Sequence, residues 1–492
     1  MGLVIRRADV DGRVGTVRVE GGTIFALGED GNVARQRGDR ELDAGGGALI
    51  PGLHDHHVHL RACLAARESL FVGPPNVVGA RGFAAALSAA PVGRDGWVRA
   101  VGYHESVAGV LDRDVLDRLA GGRPVRVQHR SGVLWVLNSP ALRLVGAEDT
   151  TLPGIERGAD GRATGRLWRM DGWLGERLMS PEPRGGSGVR GKKPSDKALW
   201  GLSRDALARG VTGWTDATPG RDDQESAALL EAAAEGAVLQ RLHLMSPVES
   251  APRSATGTAT RATGPVKVLL DDGDLPSLDW LSELVSSAHG SGRAVAVHCV
   301  TRVQLALAAA AFESATQRIG QRRQRESEGD RIEHGAVIPP EFLPLLADRN
   351  LTVVTQPNFV YERGDEYLEE VDADDLPHLW RARSLIEAGV ALAAGTDAPF
   401  GSSDPWLALR ASMRRLTRSG RSLGAREALN WKTALKLWLG DARAPAVPRK
   451  VEVGQPADLV LLGAPLPDAL YGDGPVEVRA TIIGGEIVFE DA

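Results

Sequence analysis

The sequence is poor in cysteine and lysine, and it lacks both a long apolar run and an excess of charge of one sign. Two cysteines in 492 residues exclude a disulfide framework and favour a reducing compartment. A formal net charge of -6 at pH 7 gives no electrostatic signature of a nucleic-acid or anionic-membrane partner. No apolar run is long enough to span a bilayer, and the opening MGLVIRRADVDG lacks the apolar region of a secretory signal. We therefore expect a cytoplasmic protein.

The composition does provide material for a large core. Hydrophobic residues make up 43% of the chain and charged residues 25%, as in ordinary globular proteins. Residues 1–50 and 450–492 contain short strands and turns, and we expect these segments to pair, because an isolated hairpin buries too little surface. Between them, at 51–449, strand-like runs such as RPVRVQHR, VTGWTDAT and RAVAVHCV alternate with Ala/Leu-rich helical patterns. This alternation predicts an α/β fold, a (β/α)₈ barrel, with loops at 183–197 and 250–264.

The first chemical signal is the histidine-rich stretch PGLHDHHVHL at 51–60. Side chains on a strand alternate between its two faces, which predicts Asp55, His57 and His59 on one face and His54 and His56 on the other. Two imidazoles on one face suit a Zn²⁺-type cation. Alone, the pair favours a metal site only modestly, since histidine pairs also arise by chance. We expect His54 and His56 to face away from the barrel interior, into the layer of helices or a loop, and assign them no chemistry.

Three further residues stand at the ends of strand-like runs. His298 ends AVAVHCV, His334 ends DRIEHG, and Asp397 follows VALAAG. A lone histidine here is more often a core residue, and a lone aspartate can cap a turn. Because barrel sites are built at the carboxyl ends of the strands, their combination favours a shared site, with Asp397 as a base or a further ligand.

Lys267 is unusual because it lies within the apolar run PVKVLL in a chain whose basic residues are mostly arginine. Burial of an ammonium group is costly and favours the neutral amine, which can take up CO₂ to form a carbamate that bridges two metals. The alternatives are a salt bridge to Asp271 or Asp272, or a side chain on the solvated face. Spacing alone does not decide between them.

The order of these motifs resembles the amidohydrolase superfamily of metal-dependent hydrolases. A β-rich start leads into PGxxDxHxH, followed by the strand with lysine, a strand ending in histidine, IEHG, AAGTDAPF and GQPADLVLL. The segments VRAVGYHES, LDRLAGGRPVRVQHRSGVLWVLNSPAL, DGRATGRL and GTDAPFGSSDPW are similar to the branch of N-substituted formamide deformylases. The resemblance implies a metal-bearing barrel with a small β-sandwich formed by 1–50 and 450–492.

The resemblance also implies roles for individual residues. The implied metal ligands are His57, His59, Lys267, His298, His334 and Asp397, with Asp397 also carrying the proton. The implied cofactor is a divalent metal, Zn²⁺, as one ion, or two if Lys267 is carboxylated. Candidate residues of the substrate pocket are Tyr103, Arg130, Trp135, Asn138, Gln356 and Asn358.

Two departures from the branch concern the predicted pocket. Its Asp-Gly-His-like turn is replaced by His129-Arg130-Ser131-Gly132-Val133, and Trp168 and Arg169 follow the TGxL segment where an acidic residue is usual. The acidic stretch at 355–375, TQPNFVYERGDEYLEEVDADD, is expected to be a loop whose charges mostly face solvent.

These observations favour a hydrolase that cleaves the C–N bond of an amide or N-acyl group in a small molecule. A deaminase or cyclic-imide hydrolase of the same superfamily is the alternative enzyme. A non-catalytic scaffold is the alternative of another class, and the presence of all six metal-site residues argues against it. For the oligomeric state, a homodimer is a common outcome for such barrels.

Overall fold

The structure is a computed structural model that describes residues 2–491 except 30, 92, 94, 95, 121, 180–195, 248–260, 320–328 and 473. The strands are Leu3–Val10 (β1), Arg13–Glu20 (β2), Thr23–Gly28 (β3), Arg40–Asp43 (β4), Leu49–Pro51 (β5), Leu53–Val58 (β6), Leu70–Phe71 (β7), Val98–Tyr103 (β8), Val125–His129 (β9), Leu134–Leu137 (β10), Ile155–Arg157 (β11), Ala163–Trp168 (β12), Val211–Asp216 (β13), Arg241–Ser246 (β14), Arg261–Leu269 (β15), Val295–Cys299 (β16), Arg331–His334 (β17), Thr352–Thr355 (β18), Ala391–Ala394 (β19), Leu459–Leu462 (β20), Val478–Ile483 (β21) and Glu486–Glu490 (β22).

The α-helices are Leu60–Arg67 (α1), Gly79–Ala89 (α2), Glu105–Ala108 (α3), Arg113–Ala120 (α4), Ser139–Val145 (α5), Asp171–Met179 (α6), Asp196–Leu207 (α7), Asp223–Ala234 (α8), Leu278–Gly290 (α9), Arg302–Ile319 (α10), Leu343–Asp348 (α11), Asn358–Glu370 (α12), Arg383–Glu387 (α13), Pro405–Arg414 (α14), Trp431–Lys436 (α15) and Leu466–Tyr471 (α16). Three 3₁₀ helices span Pro340–Phe342, Leu376–His378 and Ala425–Glu427. Several α-helices begin at a side-chain cap: Asp222, Ser277 and Asn430 each accept a hydrogen bond from a backbone N–H in the first turn.

Eight parallel strands form one sheet in the order β6, β13, β14, β15, β16, β17, β18, β19. Beyond the end of β19 the chain returns to β6: the Asp397 N–H donates to the His57 carbonyl at 2.8 Å, and the His59 N–H donates to the Ala398 carbonyl at 2.9 Å. The sheet is therefore a nearly closed barrel, and the predicted α/β barrel fold is confirmed.

The barrel strands alternate between two environments. Val266, Val268 and Val297 pack in one hydrophobic cluster with Leu281 and Val285 of α9, so these residues face the helices. The residues between them, Lys267 included, face the barrel interior because successive side chains on a strand point to opposite faces. This alternation decides which polar residues reach the site.

Two parts of the strand prediction are wrong. RPVRVQHR is not a barrel strand, because β9 lies in a different sheet with β8 and β10. The barrel instead uses RLHLMS at 241–246, β14, which we did not predict. Both segments are short and half apolar, so their local patterns do not show which sheet receives them.

Residues 61–195 form a compact unit of their own, and the remaining residues, 1–60 and 196–492, form the other. The smaller unit holds a six-stranded sheet in the order β11, β12, β10, β9, β8, β7. The sequence prediction treated 51–449 as one barrel and did not separate this unit, because its strands and helices alternate in the same way. The boundaries at 50 and 449 stay predictions.

The two chain ends build two four-stranded sheets. One has the order β3, β2, β1, β4 and the other β22, β21, β20, β5. A single hydrophobic cluster contains buried residues of both, among them Ile5, Val17, Leu461 and Ile482. The expected pairing of the two ends therefore occurs.

The three segments that were predicted to be loops differ in outcome. Residues 183–195 and 250–260 lie outside the described residues, but 196 and 197 begin α7 and 261–264 belong to β15. The loop expected over 355–375 is wrong for most of its length, because residues 358–370 form helix α12. In the described part of the chain, no helix combines the length and the apolar composition needed to cross a membrane.

Candidate metal centre

The six predicted ligands gather at the carboxyl end of the barrel. His57 and His59 lie at the end of β6 and one residue beyond it, and His334 ends β17. Lys267 and His298 lie near the ends of β15 and β16, and Asp397 follows β19 by three residues. The shared edge of parallel strands thus brings together residues 340 positions apart in sequence.

A β-bulge places the first two histidines. Asp55 pairs with Trp214 and Val58 with Asp216, so two residues of β6, His56 and His57, stand opposite one residue of β13. A bulge of this kind interrupts the alternation of side chains, so that two successive residues can point to the same face of the sheet. It allows His57 to enter the site although it follows His56 directly.

The expectation that His54 and His56 face away from the barrel interior is therefore wrong. Leu53 packs in the helix-facing cluster, and the next residue, His54, points the other way. Its ring stacks on that of His56 with centroids 4.5 Å apart, and its Nε2 lies 2.9 Å from Thr215 Oγ1. Burial lowers the pKa of both rings well below the ordinary value, so they fill the interior as neutral imidazoles.

The ligand atoms of His57, His59 and Asp397 lie within 4.8 Å of one another. Asp397 Oδ1 is 3.0 Å from His59 Nε2 and 3.6 Å from His57 Nε2. Two further histidine rings contact this group: the ring centroids of His57 and His334 are 4.7 Å apart, and those of His334 and His298 are 4.4 Å apart. The five side chains thus form one contiguous cluster.

Lys267 lies within the electrostatic reach of this cluster. It is buried, and burial lowers the pKa of its amine, against the raising effects of Glu333 and Asp397. Its charge is in turn the second cause, after burial, of the lowered pKa of His57. Its burial contradicts the alternative of a solvated face, and its Nζ has no hydrogen-bond partner among the described residues, which contradicts a salt bridge to Asp271 or Asp272.

The electrostatics of the cluster suit a cation. Burial is the main cause that lowers the pKa of His334 to about 4, so the ring is neutral, as a metal ligand must be. Burial opposes ionisation of Asp397, but its contact with His59 Nε2 and the neighbouring rings of His57 and His334 hold the pKa of this carboxyl below its ordinary value. Asp397 is therefore an anion.

Two buried nitrogens of the cluster have no hydrogen-bond partner among the residues that the structure describes. They are His57 Nε2 and Lys267 Nζ. An unpaired buried polar atom costs about 1–3 kcal/mol, so these atoms need a partner. Neutral imidazoles, an anionic carboxylate and orphaned nitrogens together fit a bound divalent cation.

Glu333, which the sequence prediction missed, orients His57. One carboxylate oxygen contacts His57 Nδ1, and the other accepts a hydrogen bond from Arg331 Nε at 2.7 Å. Arg331 also donates through Nη2 to the His56 carbonyl at 2.8 Å. A carboxylate can only accept, so His57 Nδ1 carries the proton and Nε2 keeps its lone pair for a metal. The sequence did contain a signal for this role, because RIEH places two charged residues, Arg331 and Glu333, within a buried strand.

Gln356 performs the same task for His334. Its Oε1 lies 2.8 Å from His334 Nδ1, while its Nε2 donates to the Val354 carbonyl at 3.2 Å. The second contact fixes the orientation of the amide, so Oε1 accepts the hydrogen bond from Nδ1–H and His334 Nε2 keeps its lone pair, as a metal ligand would require. Gln356, predicted as a pocket residue, is thus in direct contact with a predicted ligand.

Asp55 supports the turn that carries Asp397. It accepts hydrogen bonds from Thr396 N at 2.9 Å, Thr396 Oγ1 at 2.5 Å and His57 N at 3.2 Å. Burial raises the pKa of Asp55 to about 6, against these hydrogen bonds. Gly395 completes the contact, because a Cβ there would lie 2.5 Å from His57 N.

The other pocket candidates make structural hydrogen bonds. Asn358 donates to Glu362 and to the Thr396 carbonyl, both at 3.0 Å. Within the unit 61–195, Tyr103 OH donates to the Gly109 carbonyl at 2.6 Å and Trp135 Nε1 donates to Asp171 at 2.7 Å. Asn138 caps α5, and Arg130 is partly exposed. Their role toward a substrate stays a prediction.

A parallel barrel that gathers histidines, a lysine and an aspartate at its carboxyl edge defines the class of metal-dependent barrel hydrolases. The model of the amidohydrolase family matches residues 40–489. The chain therefore belongs to the amidohydrolase family and is a hydrolase.

Relatives agree with this assignment. The protein YtcJ of Bacillus subtilis is 24% identical, covering 99% of this chain and 98% of its own length. The N-substituted formamide deformylase of Arthrobacter pascens is also 24% identical, with 96% and 94% covered. An uncharacterized metal-dependent hydrolase from Pyrococcus horikoshii shares the fold with a TM-score of 0.71 and 18% identity, covering 96% of this chain and 99% of its own.

Proposed function

We propose that the protein hydrolyses the C–N bond of an amide, N-acyl or N-formyl group in a small molecule, with zinc as its metal. The observation that carries this proposal is the contiguous cluster of His57, His59, Asp397, His334 and His298. The similarity to an N-substituted formamide deformylase along nearly the whole chain supports the bond type.

His57, His59, His298, His334 and Asp397 are the residues that would hold the metal. A divalent cation in such a site lowers the pKa of a bound water and polarises a substrate carbonyl. Asp397 receives the proton of the attacking water on a carboxylate oxygen and passes it to the leaving nitrogen. Glu333 and Gln356 keep the ligand nitrogens of His57 and His334 unprotonated.

Lys267 serves the same site as a carbamate. In its neutral form, which burial favours, the amine attacks the carbon of CO₂ and releases one N–H proton to solvent, which leaves an anionic carboxylate on the nitrogen. That group supplies two oxygens, so its formation supports a site for two metals. Its support is the buried amine, which lacks a hydrogen-bond partner in the described residues.

The test combines metal analysis with a panel of N-formyl, N-acyl and cyclic amides. We expect zinc in the purified protein and release of a carboxylic acid and an amine from an acyclic amide. Release of ammonia from an amino-substituted ring would favour the deaminase, and opening of a cyclic imide would favour that alternative. A protein that binds no metal and turns over no substrate would support the non-catalytic scaffold.

Lys267→Ala tests the carbamate. We expect activity to be lost and partly restored by a short carboxylic acid, because the added carboxylate can occupy the place of the carbamate. Full activity and two bound metals in this variant would contradict the bridging role. Lys450→Ala is a control, because that lysine is exposed and pairs with Glu452 at 3.4 Å.

The terminal sheets belong to the same proposal. Their shared hydrophobic cluster supports the small β-sandwich that the family resemblance implies for 1–50 and 450–492.

A further inference from the structure

A second group of side chains that could hold a metal ion lies in the unit 61–195 and shares no residue with the barrel site. His104, Glu105 and His129 offer ligand atoms that all lie within 4.8 Å of one another. Of the described residues, these and the His57 group are the sets of three or more His, Cys, Asp or Glu side chains that meet in this way. We call the three residues the His–Glu–His cluster.

The topology brings the cluster together. Strands β8 and β9 are parallel, and Tyr103 is in register with His129. The Arg130 N–H donates to the Tyr103 carbonyl at 2.8 Å, which extends the pairing past the strand ends. His104 and His129 therefore stand side by side at the carboxyl edge of a parallel pair, with ring centroids 5.8 Å apart. This edge is where α/β sheets commonly bind ligands.

Each histidine has the same polar neighbour. His104 Nδ1 lies 2.9 Å from Ser106 Oγ, and His129 Nδ1 lies 2.7 Å from Ser131 Oγ. The backbone N–H of each serine also donates to the same nitrogen, from Ser106 to His104 Nδ1 at 3.3 Å and from Ser131 to His129 Nδ1 at 3.2 Å. Each serine therefore fixes the orientation of its imidazole ring.

We propose that the His–Glu–His cluster binds a divalent transition-metal cation. Two imidazole nitrogens and one carboxylate oxygen form a donor set that suits zinc or ferrous iron and leaves coordination positions open for water. His104 is buried, and His129 and Glu105 are partly buried, so the packing of the unit 61–195 restrains the three side chains.

A simple ion pair accounts for only part of this arrangement. His129 Nε2 is 3.0 Å from Glu105 Oε2, and such a pair would be complete with two residues. The ion pair does not involve His104, which caps α3 by accepting a hydrogen bond from the Ser106 N–H. Its ring tilts by 35° to that of His129 and brings a third ligand atom within 4.8 Å of both partners, so the three ligand atoms are close enough to share one cation.

The experiment counts metal ions on the full chain after chelation, equilibration with Zn²⁺ and removal of free metal. His104→Ala/His129→Ala should bind one ion fewer per chain than the parent. In a His57→Ala/His59→Ala background, the cluster ion should remain and should disappear when the other pair is also replaced. Glu105→Gln in that background should weaken Zn²⁺ binding by about tenfold or more.

His289→Ala is the matched control. His289 Nε2 pairs with Asp330 at 2.9 Å, but no third ligand of the described chain joins the pair, so the ion count should not change. Circular dichroism confirms that each variant is folded. If the His104→Ala/His129→Ala variant does not fold, the test uses Co²⁺ in place of Zn²⁺. The absorption bands of bound Co²⁺ are then compared between the His57→Ala/His59→Ala protein and the same protein carrying Glu105→Gln.

The result that overturns the proposal is an unchanged ion count in folded His104→Ala/His129→Ala, or no Co²⁺ absorption bands sensitive to Glu105→Gln. Either result would mean that His129 and Glu105 form an ion pair and that the cluster binds no metal. Because the barrel and cluster ligands are replaced separately, failure here leaves the proposed hydrolase function intact, and failure of the barrel site leaves the cluster testable.

Discussion

Replacing Glu333 by glutamine tests how the barrel holds its first ligand. The carboxylate serves two donors, the Nδ1–H of His57 and the Nε–H of Arg331. A glutamine of the same shape offers one acceptor and one donor. If its NH₂ group faces Arg331, two donors meet; if it faces His57, the imidazole proton moves to Nε2, the atom that would bind the metal.

The magnitude follows from burial. Glu333 and Arg331 are 0% and 1% exposed, and removing one partner of a buried pair costs about 3–5 kcal/mol in the free energy of unfolding. Loss of a group that orients a ligand lowers metal affinity by about 10–100-fold, or about 1.4–2.7 kcal/mol. We therefore expect Glu333→Gln to lose both stability and metal affinity.

The assay measures urea unfolding of the metal-free protein and Zn²⁺ affinity by competition with a chelator. Glu362→Gln is the control, because Glu362 is bonded to Asn358 and Ser402 at 3.0 Å and to no predicted ligand. Its metal affinity should equal that of the parent. Parent-like affinity in a folded Glu333→Gln protein would refute the orienting role.

Three further predictions concern other parts of the molecule. Asp397→Asn should retain metal but lose nearly all turnover, measured as activity per bound ion; substantial turnover would exclude Asp397 as the proton carrier. Gly395→Ala should cost about 1–3 kcal/mol in urea unfolding, because its Cβ would meet the backbone of His57; an unchanged midpoint would contradict that contact. In the terminal sheets, hydrogen bonds from the Gln36 backbone and from Arg18 lower the pKa of Asp39 from 3.8 to about 2. This depressed pKa contributes stability that is present above pH 4 and lost as the pH falls toward 2, so Asp39→Asn should flatten the unfolding midpoint across that range.

The sequence predicted the barrel because its strands are marked by local pattern. Runs such as VALAAG and AVAVHCV are apolar, β-rich and bounded by turns, and the chemistry-bearing residues stand at their ends. A charged residue inside such a run is informative, because burial of a charge needs a partner. Lys267 was noticed on this ground, and Arg331 and Glu333 satisfy the same criterion.

The features that were not predicted from the sequence depend on pairing between strands that are far apart in the chain. The bulge at His56 and His57 exists only in the register between β6 and β13, and no local pattern encodes it. The membership of β9 in a separate sheet is likewise decided by its neighbours β8 and β10. The helix 358–370 was hidden by its acidic residues, which the structure places on a helix that buries Phe359 and Val360.

Two of the predicted ligands of the barrel site have unfavourable backbone conformations. His334 has φ 70° and Asp397 has φ 55°, a region in which a residue other than glycine costs about 1–3 kcal/mol. Each ligand is held by a partner that is itself fixed: Gln356 by the Val354 carbonyl, and the turn at Thr396 by Asp55. Such backbone strain persists only where the surrounding contacts enforce it. The strain at His334 and Asp397 therefore lowers the stability of the folded protein, and in return the side chains of these two residues point into the site. Removing a supporting residue should therefore impair metal binding even when every ligand remains.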